Sequence, residues 1–392
     1  FIETNTQMSI NRVKLVRAVT VSQSVGFYIP IVEDLKQKGY EIISVSSPGP
    51  ELQEVRDLGI RAIEVPMERR ISPFKDLFSL FMLVNVFRKE KPFMVHSMTP
   101  KAGMLCMLAA WLTRIPRRVH TFTGLVWPTS TGLVRKILMC TDWLTCACAT
   151  HIIPEGKGVM NDLQQYITHK PMRVLGYGNV RGVDMQRFSR RPEILQKATT
   201  IRKKGIFTYL FVGRIVGDKG INELVEAFEK LHQKYTRTQL VLIGEYEANL
   251  DPLKQETVKR IDKNFAIRMV GAKRGEDLLT YYAAADCLVF PSYREGFPNV
   301  VLEAGAMGLP SIVTDINGSR EIIENEKNGL IIPSKDSEAL YTAMKRMLID
   351  TDGFERMAAY ARPMIESRFE QQFVSQCLYQ FYDEIIKEKN NV

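Results

Sequence analysis

The sequence predicts an α/β fold built from two doubly wound domains in tandem. Two observations carry this prediction. The chain has 392 residues, and short β-branched runs alternate with helical patterns along most of its length. A chain this long exceeds the size at which one hydrophobic core usually stops growing. Alternation of strands and helices favours βαβ units and a parallel sheet that helices cover on both faces.

The first half of the chain contains six predicted strands with helical patterns between them. The strands are "VKLVRAVTV" (13–21), "EIISVSS" (41–47), "RAIEVPM" (61–67), "FMVHSM" (93–98), "RRVHTFTG" (117–124) and "MRVLGYG" (172–178). Each run is rich in Val, Ile and aromatic residues and is bounded by polar or glycine-containing segments, as strands usually are. The first predicted domain therefore spans residues 1–184.

A second domain is predicted after a charged, weakly patterned connection at 184–204. The strand–helix rhythm restarts with "FTYLFVGR" (207–214) and continues to "GLIIPS" (329–334). This domain is assigned to residues 185–370, and the helical segment 371–392 is expected to pack back on the first domain. Ligands in such sheets bind beyond the carboxyl ends of the strands. The cleft between two sheets facing each other is thus the expected site.

The positive charge is concentrated in the first half of the chain. The net charge is +9, and residues 1–180 hold 22 Lys and Arg against 14 Asp and Glu. No acidic residue occurs between Glu90 and Asp142. A one-sided basic half suggests an anionic partner: nucleic acid, a phosphorylated substrate or an anionic membrane, with a solvated basic face as the alternative. Nucleic acid is disfavoured, because aromatic residues do not interleave with the cations and no binding motif is present.

Apolar runs lie in the same basic region. "AGMLCMLAAWLT" (102–113) and "ILMCTDWLTCACAT" (137–150) are shorter than a membrane-spanning helix requires, so buried helices explain them. Beside lysines and arginines they also suit a protein resting on an anionic bilayer. The six cysteines lack paired CxxC motifs, which favours reduced thiols in the cytoplasm. The chain begins without Met, and Met8 is a candidate start.

Two loops in the second half carry residues suited to a diphosphate ligand. "FVGRIVGDKG" (211–220) places Arg214 at a strand end and Lys219 before a helix, although neither a Walker A nor a GxGxxG motif is present. "PSYREGFPNVVLEA" (291–304) places Glu295 on a turn and Glu303 near the first turn of the next helix. The two carboxylates are suited to bind ligand hydroxyls around the backbone N–H groups of the turn.

In the first half, polar residues follow two predicted strands. "VHSMTPKAG" (95–103) offers Lys101 at a helix start, where an anion would relieve the unfavourable charge, and "VHTFTG" (119–124) offers His120. Arg69 and Arg70 lie on a nearby loop. The histidines are scattered and the DxD at 350–352 falls between helices, so no metal site is predicted.

These motifs together resemble the retaining group 1 (family 4) glycosyltransferases, which have the GT-B fold of two Rossmann-like domains facing a central cleft. The resemblance covers residues 13–385, and Glu295 and Glu303 fit the family's E-x7-E motif. The segments "SSPGPEL", "VPMERRISPFKDL" and "HSMTPKAGML" resemble the branch that builds capsular polysaccharide and lipid-linked oligosaccharides. The resemblance implies an enzyme that transfers a sugar from a nucleotide-diphosphate donor, UDP-hexose or UDP-N-acetylhexosamine, to a polyprenyl-diphosphate-linked saccharide. No cofactor or metal is implied, and the enzyme is expected in the cytoplasm, at the inner face of the plasma membrane.

The resemblance also implies roles for individual residues. Arg214 and Lys219 would hold the donor diphosphate, Glu295 would contact the donor sugar, and Glu303 would accept from the ribose hydroxyls. The other predicted donor-site residues are His120 and Gly26 in the first half and Gly296, Phe297 and Asn299 in the turn. His120, Glu295, Arg214 and Lys219 are predicted as the catalytic residues. From charge and position, Lys101, Arg69 and Arg70 are candidates for the acceptor diphosphate.

The sequence departs from the family pattern at Asn179 and Arg181, where relatives tend to have Ser and Asn. Two alternatives remain open from the sequence: a GT-B-fold sugar-nucleotide 2-epimerase, and a non-catalytic sugar-nucleotide-binding subunit of an assembly complex.

Overall fold

The computed structural model describes residues 13–249 and 251–388, so Met8 lies outside the described part. The chain forms two compact units. Within the described residues, the first comprises 13–155, 159–175 and 375–388, and the second comprises 156–158, 176–249 and 251–374. The boundary between them therefore falls at residues 175–176, whereas the sequence placed it at 184. The chain also returns to the first unit at Ser375.

The first unit contains six strands and the helices that connect them. The strands are β1 (Val13–Ala18), β2 (Tyr40–Ser46), β3 (Arg61–Glu64), β4 (Met94–Met98), β5 (Arg117–Phe122) and β6 (His151–Pro154). The helices are α1 (Val32–Gln37), α2 (Leu52–Asp57), α3 (Pro73–Glu90), α4 (Pro100–Leu112), α5 (Gly132–Cys148) and α6 (Lys157–Tyr166). Most of the C-terminal helix, which spans Gln371–Lys387, belongs to this unit too.

The sheet of the first unit is wholly parallel, with the order β3-β2-β1-β4-β5-β6. The central strands β1 and β4 are almost completely buried, as expected for a parallel sheet covered on both faces. Helices α3 and α5 both pack against α4. The alternation of strands and helices thus forms the predicted doubly wound unit.

The second unit repeats this architecture. Its strands are β7 (Phe207–Val212), β8 (Thr238–Ile243), β9 (Ile267–Met269), β10 (Cys287–Phe290), β11 (Ser311–Thr314) and β12 (Gly329–Ile332). Its helices are α7 (Pro192–Ile201), α8 (Ile221–Lys234), α9 (Gln255–Lys263), α10 (Gly275–Ala284), α11 (Asn299–Ala306), α12 (Ser319–Ile322), α13 (Ser337–Ile349) and α14 (Thr351–Phe369). Helix α15 (Gln371–Lys387) leads back to the first unit.

The strand order of the second sheet is β12-β11-β10-β7-β8-β9, again wholly parallel. Counted from its first strand, this is the same topology as in the first unit. The strands β7 and β10 are neighbours, although their following helices lead to opposite ends of the sheet. Such a switch point opens a crevice at the carboxyl ends of the two strands.

Three sequence predictions of local structure are wrong. The segment 172–178 is not a strand: Arg173 donates one backbone hydrogen bond to Ile152, and the chain then turns at Gly176. The sixth strand is β6, whose four residues are too few to show a clear pattern. The predicted connection 184–204 contains helix α7, which packs against α10. Its apolar residues are few and are separated by polar and charged ones, so the sequence pattern did not indicate a helix.

No helix in the described ranges is both long enough and apolar enough to span a bilayer.

Candidate active site

The predicted donor-binding loops of the second unit meet at the β7–β10 switch point. Arg214 follows β7, and Lys219 ends a short 3₁₀ helix (Gly217–Lys219) that precedes α8. Glu295 lies on the loop after β10, before α11. Because β7 and β10 pair directly, the two loops leave the sheet side by side. The topology therefore explains why residues 76 positions apart in the chain come into contact.

Close packing of the two loops depends on Gly220, the residue immediately before α8. Its φ is +72°, in the left-handed region, and a Cβ there would lie 2.1 Å from the carbonyl oxygen of Pro291. A larger residue at this position would push the loops apart. A backbone hydrogen bond of 2.8 Å from Tyr293 to the Asp218 carbonyl holds them together.

Lys219 and Glu295 form an ion pair between the two loops. The Lys219 Nζ donates to Glu295 Oε1, and the Ser292 hydroxyl donates to the same oxygen at 2.7 Å. The side chains of Lys219 and Glu295 are only 14% and 17% exposed. Because it is sheltered from water, this pair is held more firmly than a surface ion pair. It puts one cation and one carboxylate together at the mouth of the crevice.

Arg214 has a carboxylate partner that the sequence analysis did not identify. Its Nη1 lies 3.3 Å from Glu247 Oε2, and both side chains are partly exposed. Glu247 follows β8, the other neighbour of β7, and the backbone of Ile215 pairs with that loop. The guanidinium of Arg214 therefore lies at the rim, within reach of an incoming anion.

Glu303 is buried in the middle of α11 and is not exposed at its start. Its Oε1 accepts from Arg181 Nη2 at 3.1 Å, and its Oε2 accepts from the Tyr282 hydroxyl at 3.1 Å. Burial raises the pKa of Glu303, while the charge of Arg181 and the Tyr282 hydrogen bond oppose this rise. Neither partner was predicted, although Arg181 had been noted as a departure from the family pattern.

The turn between the two glutamates packs closely against the rest of the unit. The ring of Phe297 is buried and meets Phe369 edge-on, with 5.4 Å between ring centroids. The carbonyl oxygen of Gly296 lies against Gly318. Asn299, the first residue of α11, accepts a hydrogen bond of 3.2 Å from the Asn179 amide. These contacts fix the turn before any ligand binds.

His120, predicted from the first half, lies at the end of β5 and is almost completely buried. Its Nδ1 shares a hydrogen bond of 2.8 Å with the Ser97 hydroxyl, and its ring packs on Gly103 of α4 and Phe122. Burial lowers the pKa of His120 to about 3. The imidazole is therefore neutral at physiological pH and can take part in hydrogen bonds without carrying charge.

The predicted acceptor cations differ in their surroundings. Lys101 Nζ lies 2.7 Å from Asp76 Oδ1 and also donates to the Arg70 carbonyl, so the anion expected near this helix start is a carboxylate of the chain itself. Arg69 and Arg70 are exposed on the loop before α3. Gly26 lies in a 3₁₀ helix (Ser22–Phe27), and a Cβ there would meet open space.

The basic stretch after Glu90 is not a continuous charged surface. Arg117 is buried and donates to the carbonyl of Ile385, and Arg118 donates to the carbonyls of Cys148 and Ile115. Both cations stabilise the fold, and Arg117 is withdrawn from solvent while Arg118 is partly exposed. The charge surplus of the first half is thus carried by fewer exposed groups than the sequence suggested.

Family models match most of the chain. The model described as glycosyl transferases group 1 matches residues 193–364, and the model described as glycosyl transferase 4-like matches residues 18–139. The capsular polysaccharide biosynthesis glycosyltransferase CapM of Staphylococcus aureus is 31% identical over 96% of this chain and 98% of its own. The chain belongs to the group 1 glycosyltransferases.

This family membership makes the protein a glycosyltransferase of the GT-B fold. An Escherichia coli relative, UDP-Gal:alpha-D-GlcNAc-diphosphoundecaprenol alpha-1,3-galactosyltransferase, is 27% identical over 88% of this chain and 89% of its own. HepE from Anabaena, solved in complex with UDP and glucose, superposes with a TM-score of 0.79 and covers 95% of this chain and 100% of its own, at 16% identity. At that identity the likeness concerns the fold alone.

The structure adds four residues to the candidate site of this glycosyltransferase. Among residues 13–249 and 251–388, no group of three or more His, Cys, Asp or Glu side chains is arranged to hold a metal ion. The added residues are Arg181, Tyr282, Glu247 and Ser292. The sequence could have indicated Glu247 and Ser292 as site residues, because both follow strands of the sheet. Tyr282 lies within a helix and Arg181 on an irregular loop, so no local pattern indicated either one.

Proposed function

We propose that this glycosyltransferase transfers a hexose or N-acetylhexosamine from a UDP-sugar to a polyprenyl-diphosphate-linked saccharide, with retention at the anomeric carbon and without a metal. The ion pair of Lys219 and Glu295 at adjoining strand ends carries the proposal, because it juxtaposes a cation for the diphosphate and a carboxylate for the sugar. The activity named for the Escherichia coli relative supports the substrate classes, as does the UDP bound to HepE.

The charge distribution suits cleavage of a glycosyl–phosphate bond. As the bond between the anomeric carbon and the phosphate oxygen breaks, negative charge grows on the diphosphate and positive charge on the sugar. Lys219 and Arg214 stabilise the departing diphosphate, and Glu295 interacts with the sugar hydroxyls near the electron-poor carbon. Because these charges are fixed in a site sheltered from water, they stabilise the transition state without having to reorganise during the reaction.

Retention in this proposal follows from attack on the face that the diphosphate leaves. The acceptor hydroxyl oxygen forms its bond to the anomeric carbon on the side from which the phosphate oxygen departs. The hydroxyl proton passes to that phosphate oxygen, so the products are the glycosylated acceptor and UDP. His120, neutral at physiological pH, is proposed to hydrogen-bond the sugar and not to act as a cation.

The first unit presents apolar side chains suited to an anionic bilayer. On α3, Phe74, Leu77, Phe78 and Phe81 recur at helical spacing, and Phe74 is 91% exposed. On α5, Leu133, Val134 and Trp143 are also exposed, beside Lys136. Apolar surface beside cations is typical of proteins that lie on anionic lipid, and the first ten residues of α5 fall in the stretch between Glu90 and Asp142 that has no acidic residue. In this proposal the enzyme acts at the cytoplasmic face of the plasma membrane, where its lipid-linked acceptor is held.

The proposal is tested by transfer assays with purified protein in EDTA. A panel of UDP-sugars is offered with a synthetic polyprenyl-diphosphate-linked saccharide, and the anomeric configuration of the product is read by NMR. We expect transfer with retention for one UDP-sugar. Glu295→Gln should lower kcat by about 100-fold or more, because a fixed charge near the reacting carbon is lost.

Glu338→Gln is the matched control, since it breaks a surface ion pair with Lys230 in the same unit. It should transfer at the wild-type rate. Wild-type transfer by a folded Glu295→Gln variant would contradict the assigned role, and dependence on added metal would contradict the metal-free chemistry. The non-catalytic alternative predicts no transfer at all.

The 2-epimerase alternative is not favoured, because the family models and the relatives described above are glycosyltransferases. The same assay separates the two activities: donor incubated alone should yield no epimer.

A further inference from the structure

Both oxygens of the Glu303 carboxylate are held by side chains from other elements. Arg181 donates to Oε1 and the buried Tyr282 of α10 donates to Oε2, each at 3.1 Å. A carboxylate has about four positions at which it accepts hydrogen bonds. Two therefore remain available for a ligand, and the two protein donors determine which way they point.

The loop that carries Arg181 is itself fixed to α11 and to the start of α15. Asn179, buried with a φ of +64°, accepts from the backbone N–H groups of Arg181 and Gly182 and donates its own amide to Asn299. Gly182 lies so close to Gln371 that a Cβ would be 2.6 Å from its Cα. The guanidinium therefore reaches Glu303 from a rigid support.

Arg181 is the main cation acting on Glu303. Its charge is the largest influence that opposes the rise in the pKa of Glu303 caused by burial, followed by the Tyr282 hydrogen bond and the charge of Arg187. The neighbouring strands β10 and β11 have no charged residues.

The charged side chains named below, on or near the other elements packed against α11, contact groups other than the Glu303 carboxylate. On α14, Arg362 donates to the Ala306 carbonyl at the far end of α11, as Arg190 does to Met307. On α12, Glu321 accepts from the backbone of Lys157 and Gly158, and Arg320 pairs with Asp315.

We propose that Arg181 is a positioning residue for the nucleotide: it holds the Glu303 carboxylate in the orientation in which this carboxylate accepts from the ribose hydroxyls of the donor. The inference rests on the proposed function, which assigns the ribose to Glu303. An asparagine at this position would supply no charge. This chain has thus coupled its ribose-binding carboxylate to a cation, and nucleotide binding should depend on that cation in a pH-dependent way.

The test measures UDP binding by calorimetry between pH 6.5 and 9 for the wild type, Arg181→Asn and Arg181→Lys. Without the cation, the influence that opposes the burial-raised pKa of Glu303 is lost, so its carboxylate holds its negative charge less firmly as the pH falls. Arg181→Asn should weaken UDP binding about 10-fold at pH 6.5, and the loss should become smaller as the pH rises to 9. Arg181→Lys should restore most of the loss. With donor sugar, Arg181→Asn should raise KM much more than it lowers kcat.

Arg187→Asn is the matched control, because Arg187 lies near Glu303 without a hydrogen bond to it. It should change UDP affinity by less than about 3-fold. Wild-type affinity of Arg181→Asn at every pH, or a loss of equal size at every pH, would overturn the inference and leave the proposed function standing. Failure of the wild type to bind UDP would overturn both.

Discussion

Asp142 on α5 shows how strongly one site in the fold alters the chemistry of a side chain. Its carboxyl group is buried, and burial raises its pKa from 3.8 to about 7. The unfolded chain loses this proton near pH 4, whereas the folded chain keeps it until about pH 7. Stability from this group is therefore fully present below pH 4 and falls as the pH rises from about 4 to about 7.

Replacing Asp142 with Asn should remove this pH dependence. We expect Asp142→Asn to be more stable than the wild type at neutral pH, with an advantage that grows by about 2 kcal/mol between pH 5 and pH 8. Urea unfolding at a series of pH values measures this. Asp57→Asn, at an exposed position of the same unit, should show no such trend. An advantage of Asp142→Asn that stays constant with pH would refute the argument.

At the scale of elements, helix α15 is attached to the first sheet through a buried cation. Arg17 of β1 is 2% exposed and, among the described residues, forms no ion pair with a carboxylate. Its Nη1 donates to the Tyr382 hydroxyl at 2.6 Å and lies 2.9 Å from His96 Nδ1. The same hydroxyl lies 2.5 Å from His96 Nδ1. Tyr382 thus supplies much of the polar environment that a buried guanidinium needs.

Tyr382→Phe should weaken this attachment. The phenyl ring preserves the packing, but Arg17 and His96 each lose a hydrogen-bond partner without access to water. The free energy of unfolding should fall by about 1–3 kcal/mol. Hydrogen exchange of α15 amides should become faster. Tyr166→Phe, at an exposed tyrosine of the same unit, should change stability by less than about 0.5 kcal/mol. Equal effects of the two substitutions would contradict the proposed anchoring.

At the scale of the whole molecule, surface character differs between the halves of the chain. Residues 1–180 hold 22 basic against 14 acidic residues, and the exposed phenylalanines of α3 lie in the same half. Buried cations such as Arg117 reduce the exposed charge, so apolar contact should contribute much of any membrane affinity.

Vesicle co-sedimentation tests the proposed membrane surface. We expect binding to vesicles that contain anionic phosphatidylglycerol to exceed binding to neutral ones and to weaken with salt. Replacing Phe74, Phe78 and Phe81 together with Ser should reduce binding about 100-fold or more, since each ring would lose apolar burial in the lipid. The control is Phe265→Ser, because Phe265 is 94% exposed in the second unit. If the triple variant binds as the wild type does, α3 is not the membrane surface. If the wild type is a dimer and the triple variant is a monomer, this face of α3 is a protein interface.

The sequence by itself determined the fold class, the number of sheets and most strand positions. These features follow from local patterns, because β-branched runs and helical periodicity are set by neighbouring residues. The motifs around Glu295 and Lys219 were also recognisable, since each lies directly after a strand or before a helix. The prediction failed for the segment at 172–178 and for β6 because a short edge strand leaves almost no pattern.

Only the tertiary structure decided which charged side chains already pair within the protein and which remain available to bind a ligand. Lys101 and Asp76 are 25 positions apart, and Arg181 and Glu303 are 122 apart. Such pairs depend on which strands are neighbours and on how rigid loops direct their side chains, and no local pattern records either. The sequence therefore identified the carboxylates and cations of the candidate site. The fold determined that Arg181 and Tyr282 both donate hydrogen bonds to Glu303. It also determined that Lys219 pairs with Glu295 and that Lys101 pairs with Asp76.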